Sequence, residues 1–158
     1  MSSPRVEALI GKLEKGRQKT REILSGLTPE QWQQVVYSER NAWTARDLLA
    51  HFVSAEEHLL ELAKDVASSG EGAPEGFDFE AFNVDEQTRL RDHSPQQLLA
   101  MLDAARQATL DWARTLGDER LDRVGRHPAL GEVSLEVMIT AIYGHQLLHM
   151  REVQPKLG

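Results

Sequence analysis

Cysteine is missing from this chain altogether. Its absence excludes disulfides, thiolate metal ligands and a cysteine nucleophile, so any thiol chemistry would have to arrive with a ligand. Long hydrophobic runs are missing too, none approaching the ~18 uninterrupted apolar residues of a membrane span. The opening Met-Ser-Ser-Pro-Arg-Val-Glu contains no apolar signal core. A cytoplasmic location is therefore expected, and a membrane partner is not. A basic face is also lacking: the net charge is −7 and spread over the length, which argues against nucleic-acid binding. Neither Gly-x-x-x-x-Gly-Lys nor Gly-x-Gly-x-x-Gly occurs, so nucleotide-phosphate loops have no support. What is present is 158 residues, 41% of them apolar. That is enough for one domain, residues 1–158, to bury most of its unfolded surface.

Apolar residues recur at the helical period in four long segments. The first, Pro4 to Ser25, carries the stripe Val6, Leu9, Ile10, Leu13, Thr20 and Leu24, with Arg17 inside it. An arginine there is expected to snorkel or pair with an internal carboxylate, a substrate anion being the weaker alternative. Thr28 and Pro29 suit the start of a short turn. Thr44 and Asp47 have the spacing of a capping box and open the second helix, Ala45 to about Ala67, with Leu48, Phe52, Ala55, Leu59, Leu62, Ala63 and Val66 as its stripe. Ser68 to Gly76 cannot continue a helix. Phe77 to Asn83 is aromatic enough to dock on the core, and with Val84 to Arg91 it is read as a short helix. A connection this long is often functional, and here it could lid a pocket. Ser94-Pro95 opens the third helix, to about Leu116, with Leu98, Leu102, Ala105, Thr109, Trp112 and Leu116 inward. Asp118 to Val133 reads as a polar linker. Ser134 caps the fourth helix, which runs to about Val153 before Pro155. With no sustained period-two alternation, the expected class is all-α: a four-helix bundle with a long connection between helices 2 and 3.

His145 and His149 stand four residues apart, one turn of the last helix. Phase places them with Leu135, Met138, Ala141 and Ile142, in the middle of the apolar stripe. His51 lies on the flank of the second helix's stripe. Three neutral imidazoles with an open fourth position is a recognised catalytic arrangement for zinc. The competing reading is a set of core histidines satisfied by carbonyls, carboxylates or water. His58, two turns beyond His51, is a weaker fourth candidate. His93 and His127 sit in connections and are expected to face solvent. Gln146 takes the place where a zinc protease would carry its glutamate base, which makes that activity unexpected. No Glu-x-x-His occurs, against a carboxylate-bridged di-iron bundle. Glu152 could hold the second ring nitrogen of His149, and Glu56 is a weak candidate for a ligand or base.

The stretch Trp43-Thr44-Ala45-Arg46-Asp47-Leu48-Leu49-Ala50-His51, the pair Phe82-Asn83, His127-Pro128 followed by Gly131, and His145-x-x-x-His149 occur in that order. With these motifs the chain, from about Leu24 to Val153, resembles the DinB-like superfamily. That family includes thiol-dependent S-transferases and the N-terminal domain of mycothiol-dependent maleylpyruvate isomerase. The resemblance implies a bundle of up-down-down-up topology, frequent homodimers, and one divalent metal ion on histidines that match His51, His145 and His149. Zinc or nickel is the expected ion, with iron a further option. The characterised branches use the metal to bind and activate a low-molecular-weight thiol.

Function transfers less well than fold. The first expectation is a metal-dependent transferase or isomerase of the thiol kind acting on a small molecule. The second is a metal-dependent hydrolase. The third is a non-enzymatic, stress-linked bundle whose histidines form a structural or relic site. Beyond the metal ligands, the only catalytic candidates are Glu56 and Arg17, both weak.

Overall fold

Side-chain caps fix where the long helices begin. Ser3 accepts from the Val6 amide at the head of α1, Pro4–Leu24. Thr28 and Gln31 form a capping box on the short α2, Pro29–Trp32. Thr44 and Asp47 do the same for α3, Ala45–Ala67. Asp78 caps α4, Phe79–Arg89, and Ser94 with Gln97 boxes α5, Pro95–Ala113. Ser134 caps α7, Leu135–Val153, which follows the short α6, Asp118–Leu121. Each such cap contributes on the order of 1 kcal/mol, so these starts are locally encoded. The computed structural model describes residues 2–39 and 42–157; Met1, Arg40, Asn41 and Gly158 lie outside the described residues.

The apolar faces of α1, α3, α5 and α7 close around two core clusters. One gathers Val6 to Leu13, Leu59 to Ala67, Leu110 to Leu116 and Leu135 to Tyr143. The other gathers Leu24, Ala45 to Val53, Leu98, Leu102, Met150 and Val153. Helices α1 and α7 run from the first cluster to the second, whereas α3 and α5 run the opposite way. The order is up-down-down-up. Because α3 and α5 are parallel, the chain must return along the bundle between them, which is why residues 68–94 form so long a connection. Helix α4 lies within that return and packs on α3. No helix among the described residues is long and apolar enough to cross a membrane.

A polar layer separates the clusters. Arg106, 2% exposed, donates from Nε and Nη2 to the two oxygens of buried Glu56 at 2.7 and 2.9 Å. Its Nη1 donates to the Leu13 carbonyl at 2.9 Å. Gln146 Nε2 reaches Glu56 Oε1 at 2.8 Å, and Thr109 Oγ1 lies 2.9 Å from Oε2. Gly16 makes room, since a Cβ there would sit 3.3 Å from the Tyr143 Cβ and 3.6 Å from Arg106 Nη1.

Two expectations change here. The all-α class is incomplete, because Val124–His127 (β1) and Gly131–Ser134 (β2) form an antiparallel hairpin. Its strands are too short and glycine-bearing for alternation to reveal them. They hold because the Arg126 backbone pairs with the connection after α3, through Arg126 N to Glu71 O and Ala73 N to Arg126 O. Gly72 is needed there: its φ is +85° and a Cβ would meet Arg126 O at 2.6 Å. The second change is one of phase. On α5 the buried set includes Arg106, Leu110 and Ala113, with Ala105 and Trp112 only partly covered. On α7 the buried positions are Leu135, Met138, Ile139, Ile142, Tyr143, Gln146, Met150 and Val153. His145 and His149 therefore sit at the edge of the stripe, half-buried, rather than at its centre.

Candidate metal centre

That edge position is what lets α7 present its two rings to α3. His51 Nε2 lies 3.0 Å from His145 Nε2, and His149 Nε2 lies 3.1 Å from the same atom. The three ring planes stand at 75°, 90° and 90° to one another, so their nitrogen-bearing edges converge. Among the described residues these are the one group of potential ligand atoms close enough to hold an ion together. Nitrogens placed 2.0–2.1 Å from a tetrahedral ion are about 3.3 Å apart. The two separations from His145 are close to that value, and all three ligand atoms lie within 4.8 Å of one another.

Protonation agrees with the distances. Burial, followed by the neighbouring His51 and His149, pushes His145 down to about 2, so it enters the cluster neutral. The Tyr37 hydroxyl lies 2.7 Å from His149 Nδ1 and 2.9 Å from Glu152 Oε1. A carboxylate only accepts, so the hydroxyl proton points to Glu152 and the oxygen accepts from Nδ1–H. His149 Nε2 is then the acceptor nitrogen and faces the other two rings. An orienting partner on the far nitrogen is the usual support of a metal-bound histidine. Trp43 against His51 and Phe52 against His145 and His149 supply an apolar surround.

The remaining predicted residues lie elsewhere. Glu56 does not join the convergent group. Its oxygens are filled by Arg106, Gln146 and Thr109, which leaves no free lone pair for a ligand or base role. Arg17 pairs with Asp103, a carboxylate that is partly exposed rather than internal, at 2.8 Å and with Gln107 at 2.9 Å, and it lines a different cavity, of about 340 Å³. Glu152 reaches His149 chiefly through Tyr37, its own oxygen being 3.7 Å from Nδ1. Tyr37 had no sequence signal, since it lies in a connection with no motif around it. His127, expected in solvent, is 9% exposed, and His93 is half-buried. His58 stacks on Phe77 at 5.2 Å and lies tilted against Phe82 at 4.5 Å.

Beside the histidines opens a cavity of about 400 Å³. His51 and His145 form one wall, and Phe77, Phe79 and Phe82 from the long connection line another.

Comparison with known proteins accords with this geometry. The family model of the DinB superfamily matches residues 12–153, and the chain belongs to that superfamily. YfiT from Bacillus subtilis, described as a probable metal-dependent hydrolase with an unusual four-helix bundle topology, superposes with a TM-score of 0.78 at 19% identity, over 99% of this chain and 87% of that one. The colibactin self-resistance protein ClbS, solved in complex with a double-stranded DNA, gives 0.68 at 16% identity over 95% of both chains. A protein from Exiguobacterium sibiricum described as a candidate DinB family member gives 0.60 at 18% identity, over 99% of this chain and 92% of that one. At these identities the solved structures speak for the fold alone. No curated protein matches the chain by sequence.

Proposed function

We propose that this member of the DinB superfamily is a metal-dependent hydrolase of a small molecule, with His51, His145 and His149 as the ligands of one divalent ion. The observation that carries the reading is the convergence of three Nε2 atoms beside a largely apolar cavity. An ion held there would lower the pKa of a water, or a thiol, in its remaining position. The chain's own residues do the rest. Tyr37 and Glu152 hold the tautomer and aim of His149, the phenylalanines exclude bulk water, and the cavity positions the molecule next to His51 and His145. Zinc and nickel are the expected ions and iron a further one, since three imidazoles alone do not choose among them.

Thiol transfer or isomerisation is the second reading, favoured by superfamily membership and by a coordination position that would accept a thiolate as readily as water. Against it, none of the residues lining the cavity carries a formal charge to meet the carboxylates of a charged thiol. The same lining, with the net charge of −7, favours a small-molecule partner over the nucleic acid seen with ClbS. The homodimer and the single domain are retained as parts of the proposal. Esters, amides and thiol-conjugation substrates, assayed side by side with zinc- and nickel-loaded protein, separate the two readings. Turnover of esters or amides without thiol supports hydrolysis; thiol-dependent turnover alone supports transfer. Inactivity of fully loaded protein on all three would favour a non-enzymatic bundle.

A further inference from the structure

The cavity's polar features are few and specific. His127 forms part of its wall, and its Nδ1 accepts the backbone amides of Ala129 and Leu130 at 3.0 and 3.2 Å. Backbone amides can only donate, so in the neutral ring the proton must sit on Nε2. The hairpin turn thus fixes the tautomer. Burial, with His58 nearby, holds the ring's pKa below the ordinary histidine value, which keeps it neutral. Its Nε2 is buried and meets no hydrogen-bond partner among the described residues. A buried donor in that state is costly unless something accepts from it.

His51, His58, Asn83 and His145 are the other polar residues of the lining; the remainder is apolar, and it spills outward. Phe79, Leu130 and Leu148 ring the cavity while being 40%, 55% and 59% exposed. Large apolar side chains gathered at one mouth mark a binding site more often than chance exposure does. A cavity of about 400 Å³ lies within the range that holds small ligands.

We propose that this cavity is the substrate subsite, that it takes a neutral aromatic or branched apolar molecule carrying one acceptor oxygen, and that His127 Nε2–H is the positioning donor for that oxygen. The inference rests on the metal-dependent reading above, because the oxygen would be held in the chamber that His51 and His145 share. It adds that the wall itself favours neutral groups, since no cationic side chain lines it to offset the desolvation of an anion; that preference belongs to the metal-free chamber, because a bound divalent ion would attract anions.

The test uses the full chain, labelled with 15N-histidine, titrated with acetophenone, ethylbenzene and benzoate, with metal content measured on the same samples. The His127 resonances should report an Nε2–H tautomer, and acetophenone should shift that proton. His127→Phe should weaken acetophenone about tenfold while leaving ethylbenzene within about twofold. In metal-free protein benzoate should bind at least about tenfold more weakly than acetophenone. If His127→Phe folds poorly, Leu148→Asp at the exposed rim serves instead and should weaken both neutral probes. Equal loss of both probes in His127→Phe, tighter binding of benzoate by metal-free protein, or no response to any probe would overturn the proposal. So would a Leu148→Asp variant that changes the oligomeric state and not probe binding, which would make the rim an interface between copies. Intact metal with no probe selectivity removes this inference alone; intact selectivity in protein that takes up no metal removes the metal reading alone.

Discussion

Two buried polar clusters lie one turn apart on the same pair of helices, and they are built on opposite principles. Glu56 follows His51 by five residues on α3, and Gln146 follows His145 directly on α7. Around Glu56 every acceptor meets a donor: Arg106 twice, Gln146 once and Thr109 once. Around His145 three ring nitrogens face each other at 3.0 and 3.1 Å, with a carboxylate and a phenol stationed behind His149 rather than among them. The first cluster is electrostatically closed, the second open to a cation. The lesson is that burial of polar groups near a cavity does not by itself mark chemistry; convergence of several potential ligand atoms on one point does.

The largest effect should come from opening the closed cluster. Glu56→Gln leaves the Arg106 charge buried and is expected to cost about 3–5 kcal/mol in urea unfolding followed by circular dichroism. Replacing both partners together, Glu56→Leu with Arg106→Met, should recover most of that loss. A single variant as stable as the parent would break the contrast. A medium effect is expected behind the open cluster. Tyr37→Phe removes the group that fixes His149, and metal affinity should fall about 10–100-fold in competition with a chromophoric chelator, with the fold intact. Unchanged affinity would mean that Tyr37 only fills space. The smallest effect belongs to Arg17, whose pair with Asp103 is partly exposed on both sides. Arg17→Ala should cost at most about 1 kcal/mol and leave metal content untouched; a lost activity there would restore it as a substrate contact.

Much of this was legible locally. The starts of the long helices follow from Ser3, Thr44, Ser94 and Ser134, because a cap is a relation between residues three apart. The three histidines could be grouped from spacing and phase, although phase alone placed the α7 pair too deep. Arg106 could not be found that way. Its burial depends on Glu56 from another helix and on the missing side chain of Gly16 on a third, and the only hints were a glutamate, a glycine and a glutamine at inward positions of otherwise apolar stripes. His127 was missed for a related reason: the hairpin that buries it is held by pairing with residues 71–73, far away in sequence. Tyr37 sits in a connection whose course is set by contacts with α7 and the segment after it, so no period announces it.

The central claim is that the open cluster holds an ion. Protein purified without chelators, and its His145→Ala, His149→Ala double variant, should be analysed for metals and then titrated with zinc and nickel. The parent should carry or take up about one ion per chain, and the double variant should take up none while keeping the parent's helical circular dichroism. A parent that stays metal-free through the titration, or a double variant that binds as the parent does, would contradict it.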